Sequence, residues 1–352
     1  MALKLNKETW NLTVVNKHTS IRNAIENMNL SKLGIILVED EDKSFAGIVL
    51  DGDIRRGFLR GATLDSSVSE IMNLKPVVVR EDSEDDLVQR IMIQSAISHV
   101  PVVNDKNLLC GLFMLERFPE IVVRPNLFIV MAGGKGSRLL PLTLETPKPM
   151  LLVNNRPILE HILLRAKTSG FSKFLIATNY LRSSIEDHFG DGSKLDVEIG
   201  YLREEAPLGT AGALSLLEGS IELPLVISNG DVLSLLDYSR ILEFHETSGS
   251  VATMAVRLHE LQHPFGVVEI DGAEIIGLKE KPVIQSFINA GIYVLSPVAL
   301  KFLQPNEYCD MTTLFERLRL AGEKTCAYPL HEGWADVGTP SDLDTARQGE
   351  HK

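Results

Sequence analysis

The chain has 352 residues, enough for two domains of about 150 residues each and too many for one ordinary core. Hydrophobic residues make up 44% and charged residues 23%, which excludes collagen-like and wholly disordered chains. Lys and Arg number 35 against 47 Asp and Glu, so the formal charge of −12 disfavours nucleic acid or an anionic membrane, and a polyanionic ligand would need a local basic pocket or a bound cation.

The N-terminal stretch from Met1 to Trp10 mixes Lys, Asn and Glu with apolar residues and lacks the apolar run of a signal peptide. No eighteen apolar residues follow one another, so no membrane span is expected. Cys110, Cys309 and Cys326 lie far apart without CxxC spacing, which supports neither a disulfide framework nor a zinc site and predicts a reducing, cytoplasmic setting. The first third reads as a duplication: a stretch opening Thr13-Val14-Val15 recurs about 63 to 65 residues later, opening Pro76-Val77-Val78-Val79. Each copy runs strand, helix (Ser20 to Met28; Ser83 to Ser95), strand (Gly34 to Val38; Val100 to Val103), strand from a glycine (Gly47 to Leu50; Gly111 to Leu115), helix. Val68 to Met72 reads as a short helix stopped before Pro76.

The pattern changes after Arg124-Pro125, which predicts one domain over 1–123 and a second over 126–348. Strand Leu127 to Ala132, helix Ile158 to Ser169, strand Lys173 to Ala177, helix Leu181 to Phe189, strand Val197 to Tyr201, helix Thr210 to Leu217 and strand Leu225 to Ser228 alternate as βαβ units do. A mostly parallel sheet follows, with its ligand beyond the carboxyl ends of the strands, where Gly133 and Asp231 both fall.

The segment from Met131 to Met150 carries the most chemistry. Gly133, Gly134 and Gly136 allow positive φ and a close backbone approach, so that N–H groups of a loop through Lys135 and Ser137 can point at phosphate oxygens. Lys135 is followed by Gly136, not Ser or Thr, so this is no Walker A loop; Leu139 stands where a dinucleotide fingerprint needs its third glycine. What remains, Gly134-x-Gly136-x-Arg138 followed by Pro147-Lys148-Pro149, resembles the signature of sugar-1-phosphate nucleotidylyltransferases. The resemblance implies that Arg138 offers its planar fork to the β- and γ-phosphates, while Lys148 supplies a point charge where the sugar phosphate meets the α-phosphorus.

Further along, Ser228-Asn229-Gly230-Asp231 places a carboxylate at a strand's end, which is either the solvated end of an Asn-Gly turn or a Mg²⁺ ligand. The resemblance implies the latter, with Asp336 of Gly333-Trp-Ala-Asp336 as the second ligand; otherwise Asp336 merely stiffens a loop before a helix capped by Thr339 or Ser341. It also implies a sugar-binding half in which Glu280 accepts from sugar hydroxyls, Lys281 meets the sugar phosphate, and Asn289 and Gly291 sit against the hexose. Base choice would be read at Glu204, three residues before Pro207, or at Glu205. An ionised carboxylate accepts from both N1–H and N2–H of guanine, and relatives that use pyrimidines tend to carry Gln there. Gly209 and Thr210 of the following Pro-Leu-Gly-Thr-Ala-Gly complete the implied nucleotide site.

The duplicated region resembles a pair of CBS domains, which bind adenine nucleotides in their clefts or serve to dimerise an enzyme. Gly47-Ile-Val-Leu-Asp-Gly-Asp53 matches the motif whose Asp accepts from ribose hydroxyls, whereas the second copy places Arg117 there. The expected fold is therefore α/β: a tandem CBS pair (α+β), then a Rossmann-like, mostly parallel-sheet nucleotidyltransferase domain. The expected function is sugar-1-phosphate guanylyltransfer, releasing pyrophosphate from GTP with Mg²⁺. An adenine nucleotide is the implied effector, and a homo-oligomer is expected. Over the whole chain the resemblance is greatest to CBS-fused guanylyltransferases making GDP-glucosamine for nonulosonic acid synthesis, with mannose and heptose 1-phosphates open. The rivals are a UDP- or dTDP-sugar pyrophosphorylase, a metal-dependent glycosyltransferase, and an inactive nucleotide-sensing module.

Overall fold

A computed structural model describes residues 2–95, 97–115 and 122–348, which divide into two units, Met1–Glu120 and Ile121–Lys352. In the first, β1 (Ala2–Lys4) and α1 (Lys7–Asn11) precede β2 (Val14–Asn16), α2 (Ile21–Ser31), β3 (Ile35–Glu39), β4 (Phe45–Leu50) and α3 (Asp51–Leu59). The second copy follows as β5 (Val79–Arg80), α4 (Asp85–Gln94), β6 (His99–Val103) and β7 (Leu109–Leu115); its closing helix lies outside the described residues. Val68–Glu70 forms a single 3₁₀ turn where a short helix was expected. The sheets run β2-β3-β4 and β1-β7-β6-β5, so the N-terminal strand, unread in the sequence, joins the second copy with Ala2 opposite Leu115. Equivalent turns of the copies meet: Phe45 N–H donates to Asn107 O at 2.8 Å, and Asn107 Nδ2 donates to Phe45 O at 3.0 Å. Ile35 to Val38 is an unbroken apolar run because both its faces are covered, Ile36 and Val38 by one core and Ile35 and Leu37 by another that includes Leu112.

The second unit runs β8 (Phe128–Met131), β9 (Leu152–Val153), β10 (Arg156–Pro157), α5 (Ile158–Thr168), β11 (Lys173–Thr178), α6 (Arg182–Phe189), β12 (Glu198–Arg203) and α7 (Gly209–Gly212). It continues with β13 (Leu225–Asn229), β14 (Val232–Ser234), α8 (Tyr238–Ser248), β15 (Ala252–Gln262), β16 (Val267–Asp271), β17 (Glu274–Lys279) and β18 (Val283–Leu295). Last come α9 (Met311–Leu320), β19 (Thr325–Pro329), β20 (Trp334–Asp336) and α10 (Pro340–Arg347). Seven strands form one sheet, β12-β11-β8-β13-β18-β15-β19, parallel except where β18 pairs with β13 and β15. The helix expected over Thr210 to Leu217 is one α-turn followed by 3₁₀ residues Ala213–Leu216.

Pleating sends alternate residues of β8 to opposite cores, Phe128 and Val130 to one, Ile129 to the other. Phe128 is the hub of the first, with Phe171, Phe174 and Tyr238 rings at 5.4, 5.6 and 4.8 Å. Helices on both faces leave only the strand ends open, which is where a ligand can reach the sheet. Among the described residues no helix is long and apolar enough to cross a membrane.

One buried polar cluster supports this frame. His245 on α8 is closed off from solvent, with Nδ1 2.9 Å from Thr253 Oγ1 and Nε2 2.8 Å from Ser296 Oγ. Burial lowers its pKa from 6.5 to about 4, so the unfolded chain binds the extra proton first. The stability this neutral imidazole contributes is whole above the unfolded value and is lost as pH falls toward the folded one. The stability gap between the wild type and His245→Gln should therefore narrow by about 3 kcal/mol between pH ~7 and ~4. Urea unfolding at the two pH values checks this, and an unchanged gap would contradict a buried neutral His245.

Candidate active site

The carboxyl ends of β8, β12 and β13 open onto one cavity of about 410 Å³. Gly133 follows β8 and lies against Glu204 at the end of β12, where a Cβ on Gly133 would come within 2.5 Å of Glu204 Oε1. Gly136, at φ 61°, turns the loop into the 3₁₀ residues Ser137–Leu139. A Cβ there would press on Lys148 Cβ at 2.9 Å and Thr143 Cγ2 at 3.0 Å, so only glycine lets the loop close over Lys148.

Lys148 itself is buried in a 3₁₀ turn, Lys148–Met150, between two prolines. Its ammonium group forms an ion pair with Asp231 and stands 4.0 Å from Asp336 Oδ1. Strand pairing brings those carboxylates together: β14 runs antiparallel to β20 with Val232 opposite Asp336, and Val337 N–H donates to Asp231 O at 3.0 Å. Arg138 closes the group, its guanidinium packed on Gly338 two residues beyond Asp336. The Asn-Gly-Asp segment is thus no hairpin turn; Gly230 N–H donates to Met131 O at 2.8 Å, tying the end of β13 to the end of β8. Thr339, read as a candidate cap, caps α10 in a reciprocal box with Asp342.

Gly133, Gly134, Gly136, Ser137, Arg138, Lys148, Glu204, Gly209, Thr210 and Asp231 all line this cavity, and Lys135 and Asp336 do not. Glu204 is buried and Glu205 exposed. Glu204 Oε2 accepts the Leu208 N–H at 2.8 Å, which leaves Oε1 as its open acceptor. Burial raises the Glu204 pKa, and the Leu208 N–H partly offsets this. Three polar lining residues were given no role by the sequence: Asn229, Tyr308 and Asp310. Asp310 stands at the N-cap of α9, yet its side chain does not cap. Oδ1 accepts from Thr210 N–H at 3.3 Å, Oδ2 accepts from the Tyr308 hydroxyl at 3.0 Å, and Thr210 Oγ1 instead takes the Met311 N–H at 2.8 Å. An Asp before a helix reads as an ordinary cap, so its diversion is visible only in three dimensions.

The electrostatics suit a triphosphate and a hard cation. Burial first, then the like charge of Asp231, raises the Asp336 pKa, against the opposing pull of Lys148 and Arg138. Two carboxylates forced together around one ammonium are a donor set for a divalent ion whose other positions go to phosphate and water oxygens. Among the described residues no third His, Cys, Asp or Glu joins them, so the residues fit a shared metal and not an all-protein cage. Asn229 Oδ1 is buried without a hydrogen-bond partner, beside the pair at the cavity wall.

None of the four residues read for the sugar lines the cavity. Asn289 and Gly291 are on β18, with Gly291 packed against Asn229; Asn289 Nδ2 donates to the Tyr293 hydroxyl at 2.8 Å. Glu280 and Lys281 are exposed on the arm that β15 to β18 form, and neither lines the cavity. In the first unit Asp53 is not an open carboxylate: Oδ2 accepts the Leu50 N–H at 2.9 Å, Oδ1 accepts from Arg56 at 2.6 Å, and the side chain is 13% exposed. A ribose would have to share these oxygens with the helix cap and Arg56. Arg117 lies outside the described residues.

Comparison with known proteins places these features. The nucleotidyl transferase profile matches residues 127–352, and the CBS domain profile matches 8–60 and 68–118. A mannose-1-phosphate guanylyltransferase from Mycobacterium tuberculosis is 36% identical over 223 residues, covering 61% of this chain and 62% of that protein. The catalytic subunit beta of the Drosophila pseudoobscura pseudoobscura mannose-1-phosphate guanylyltransferase is 32% identical over 224 residues, 62% of this chain and 60% of that one. The chain thus spans about 62% of the length of the curated relatives it matches. Among solved structures, a Bacillus anthracis protein described as a glucose-1-phosphate thymidylyltransferase superposes with TM-score 0.52 at 25% identity, over 64% of this chain and 95% of that one. HddC from Yersinia pseudotuberculosis shares the fold, with TM-score 0.50 at 22% identity over 64% and 99%.

Proposed function

Because the chain belongs to the nucleotidyl transferase family and carries a CBS domain pair, we propose that its second unit transfers a nucleoside monophosphate from an NTP to a sugar 1-phosphate and releases pyrophosphate. The carrying observation is the convergence of Arg138, Lys148 and Asp231 on one cavity beneath a glycine loop, with Asp336 4.0 Å from the Lys148 ammonium behind them. Backbone N–H groups of Gly133 to Ser137 receive the phosphates, and Arg138 grips the leaving pair. Lys148 faces the incoming phosphate. The sugar phosphate is largely dianionic near neutrality, its second pKa being about 6, so its oxygen attacks the α-phosphorus without a general base on the protein. Asp231 and Asp336 would hold a divalent ion, read as Mg²⁺, which supplies charge neutralisation at the bridging phosphates. The chain's own contribution is positioning and fixed charge.

GTP is the proposed nucleotide. The names of the guanylyltransferase relatives and the carboxylate of Glu204 in the cavity favour it. With Oε2 given to Leu208, Oε1 is the acceptor left for guanine N–H groups, fewer than the two-oxygen reading assumed. Glu204→Gln should lower kcat/KM for GTP relative to UTP or dTTP by about tenfold, the cost of one good hydrogen bond to a charged group. Unchanged selectivity in competition assays would move base reading elsewhere. The sugar is proposed as glucosamine, mannose or a similar hexose 1-phosphate, destined for a nucleotide-sugar pathway. The CBS pair is proposed to bind an adenine nucleotide, with Asp53 accepting from ribose hydroxyls through the lone pairs not given to Leu50 and Arg56. A panel of NTPs against several sugar 1-phosphates, followed by pyrophosphate release with and without AMP or ATP, tests the whole reading. Release with no sugar phosphate present, or none with any pair, would reject it.

A further inference from the structure

From the contacts around the glycine loop we infer that Tyr180 is a positioning residue for the pyrophosphate end of the nucleotide, acting through Thr143 on the loop that presents Arg138 to the cavity. The inference rests on the transferase reading above and gives a role to two residues that do not themselves line the cavity. Between Gly134 and Thr146 only Leu139 and Thr143 are buried. Leu139 enters the apolar core, whereas Thr143 is polar and wholly closed off from solvent. A hydroxyl so placed needs a partner, and it donates to Gly136 O at 2.9 Å. Thr143 Cγ2 would also meet a Cβ on Gly136 at 3.0 Å. One threonine thus ties the far side of the loop to the glycine whose positive φ turns the chain toward Arg138.

What holds Thr143 comes from a neighbouring strand. Tyr180 lies two residues past β11, which pairs parallel with β8. Its hydroxyl donates to Leu144 O at 2.9 Å and to Thr143 O at 3.2 Å, so one hydrogen is shared between two successive carbonyls. The backbone bonds from Leu139 N–H to Gly136 O, Leu142 N–H to Leu139 O and Leu144 N–H to Pro141 O are local turns that tie the loop only to itself. Leu140, Leu142 and Leu144 are exposed and add little packing. Without the Tyr180 hydroxyl the loop spends less time in the arrangement that places Arg138, and an apparent affinity falls with the competent fraction. That cost falls on the phosphates Arg138 grips. Lys148 is fixed separately, between two prolines, so the sugar phosphate is spared.

Pyrophosphorolysis by the full chain tests this. Tyr180→Phe removes one oxygen and should raise KM for pyrophosphate about fivefold, the effect of losing one neutral hydrogen bond, while KM for the nucleotide sugar and the urea midpoint stay close to wild type. A merely structural tyrosine would lower the midpoint and move neither KM selectively. Thr143→Val should show the same selective rise and Thr143→Ser should reverse it. The Tyr180→Phe, Thr143→Val double variant should be no worse than the poorer single, because both break one chain of contacts. Equal rises in the two KM values, or effects that multiply in the double variant, would overturn the inference. Hydrogen exchange over 137–147 reads the loop without turnover: it should quicken in Tyr180→Phe, and unchanged exchange would overturn the latch even in an active enzyme. A wild type with no pyrophosphorolysis at all would instead reject the transferase reading on which the inference stands.

Discussion

Asp231→Asn should leave the fold intact and reduce pyrophosphate release by at least about 10³-fold at saturating substrate. Its carboxylate is the one that strand β14 sets against both Lys148 and, through β20, Asp336. Asparagine keeps the shape, and the Asp231 carbonyl still accepts from Val337, so the β14–β20 pairing survives. What is lost is a charge that no neighbour replaces: Asp336 alone is a single carboxylate, half open to solvent, too little to hold a hard cation tightly. Circular dichroism and a pyrophosphate-coupled assay check it together. Activity within threefold of wild type would remove Asp231 from the metal site.

Lys148→Ala should cost about 10²- to 10³-fold in kcat, the usual loss when one fixed charge stabiliser is removed. Unlike Asp231, Lys148 is buried, so truncation also leaves two carboxylates facing each other with no ammonium between them. A modest loss of stability should accompany the rate effect, reduced by the partial exposure of both acids. Lys148→Arg separates the two: it restores a positive charge between the carboxylates, but its planar fork spreads that charge where Lys148 presents a single compact ammonium to the reacting phosphate. Stability should recover in Lys148→Arg while kcat stays low. Recovery of both, or a fall of less than threefold in Lys148→Ala, would deny Lys148 a specific role at the reacting phosphate.

Much of the architecture was legible because it depends on local patterns. The unbroken apolar runs at Ile35 to Val38 and Phe128 to Met131 announced strands covered on both faces, and the glycine loop announced a phosphate site at a strand's end. The helix over Thr210 to Leu217 was overcalled because its opening residues serve the cavity: Thr210 spends its hydroxyl on α9, and one α-turn is all that forms. Asp310 and Tyr308 were missed for the converse reason, since a cap-like Asp carries no sign that its carboxylate turns toward a residue a hundred positions earlier. Asp53 shows a motif match without the expected freedom. The same carboxylate that could meet a ribose caps α3 and pairs with Arg56. Glu280 and Lys281 matched in order and spacing, but whether an arm reaches its own cavity depends on tertiary geometry that spacing does not encode.

The most direct measurement is the stereochemical course at the α-phosphorus, using GTP made chiral there by sulfur and isotope substitution. A single in-line attack by the sugar phosphate beside Lys148, with the leaving pyrophosphate gripped by Arg138, inverts that centre. Retention would require a covalent nucleotidyl-enzyme and would contradict direct transfer.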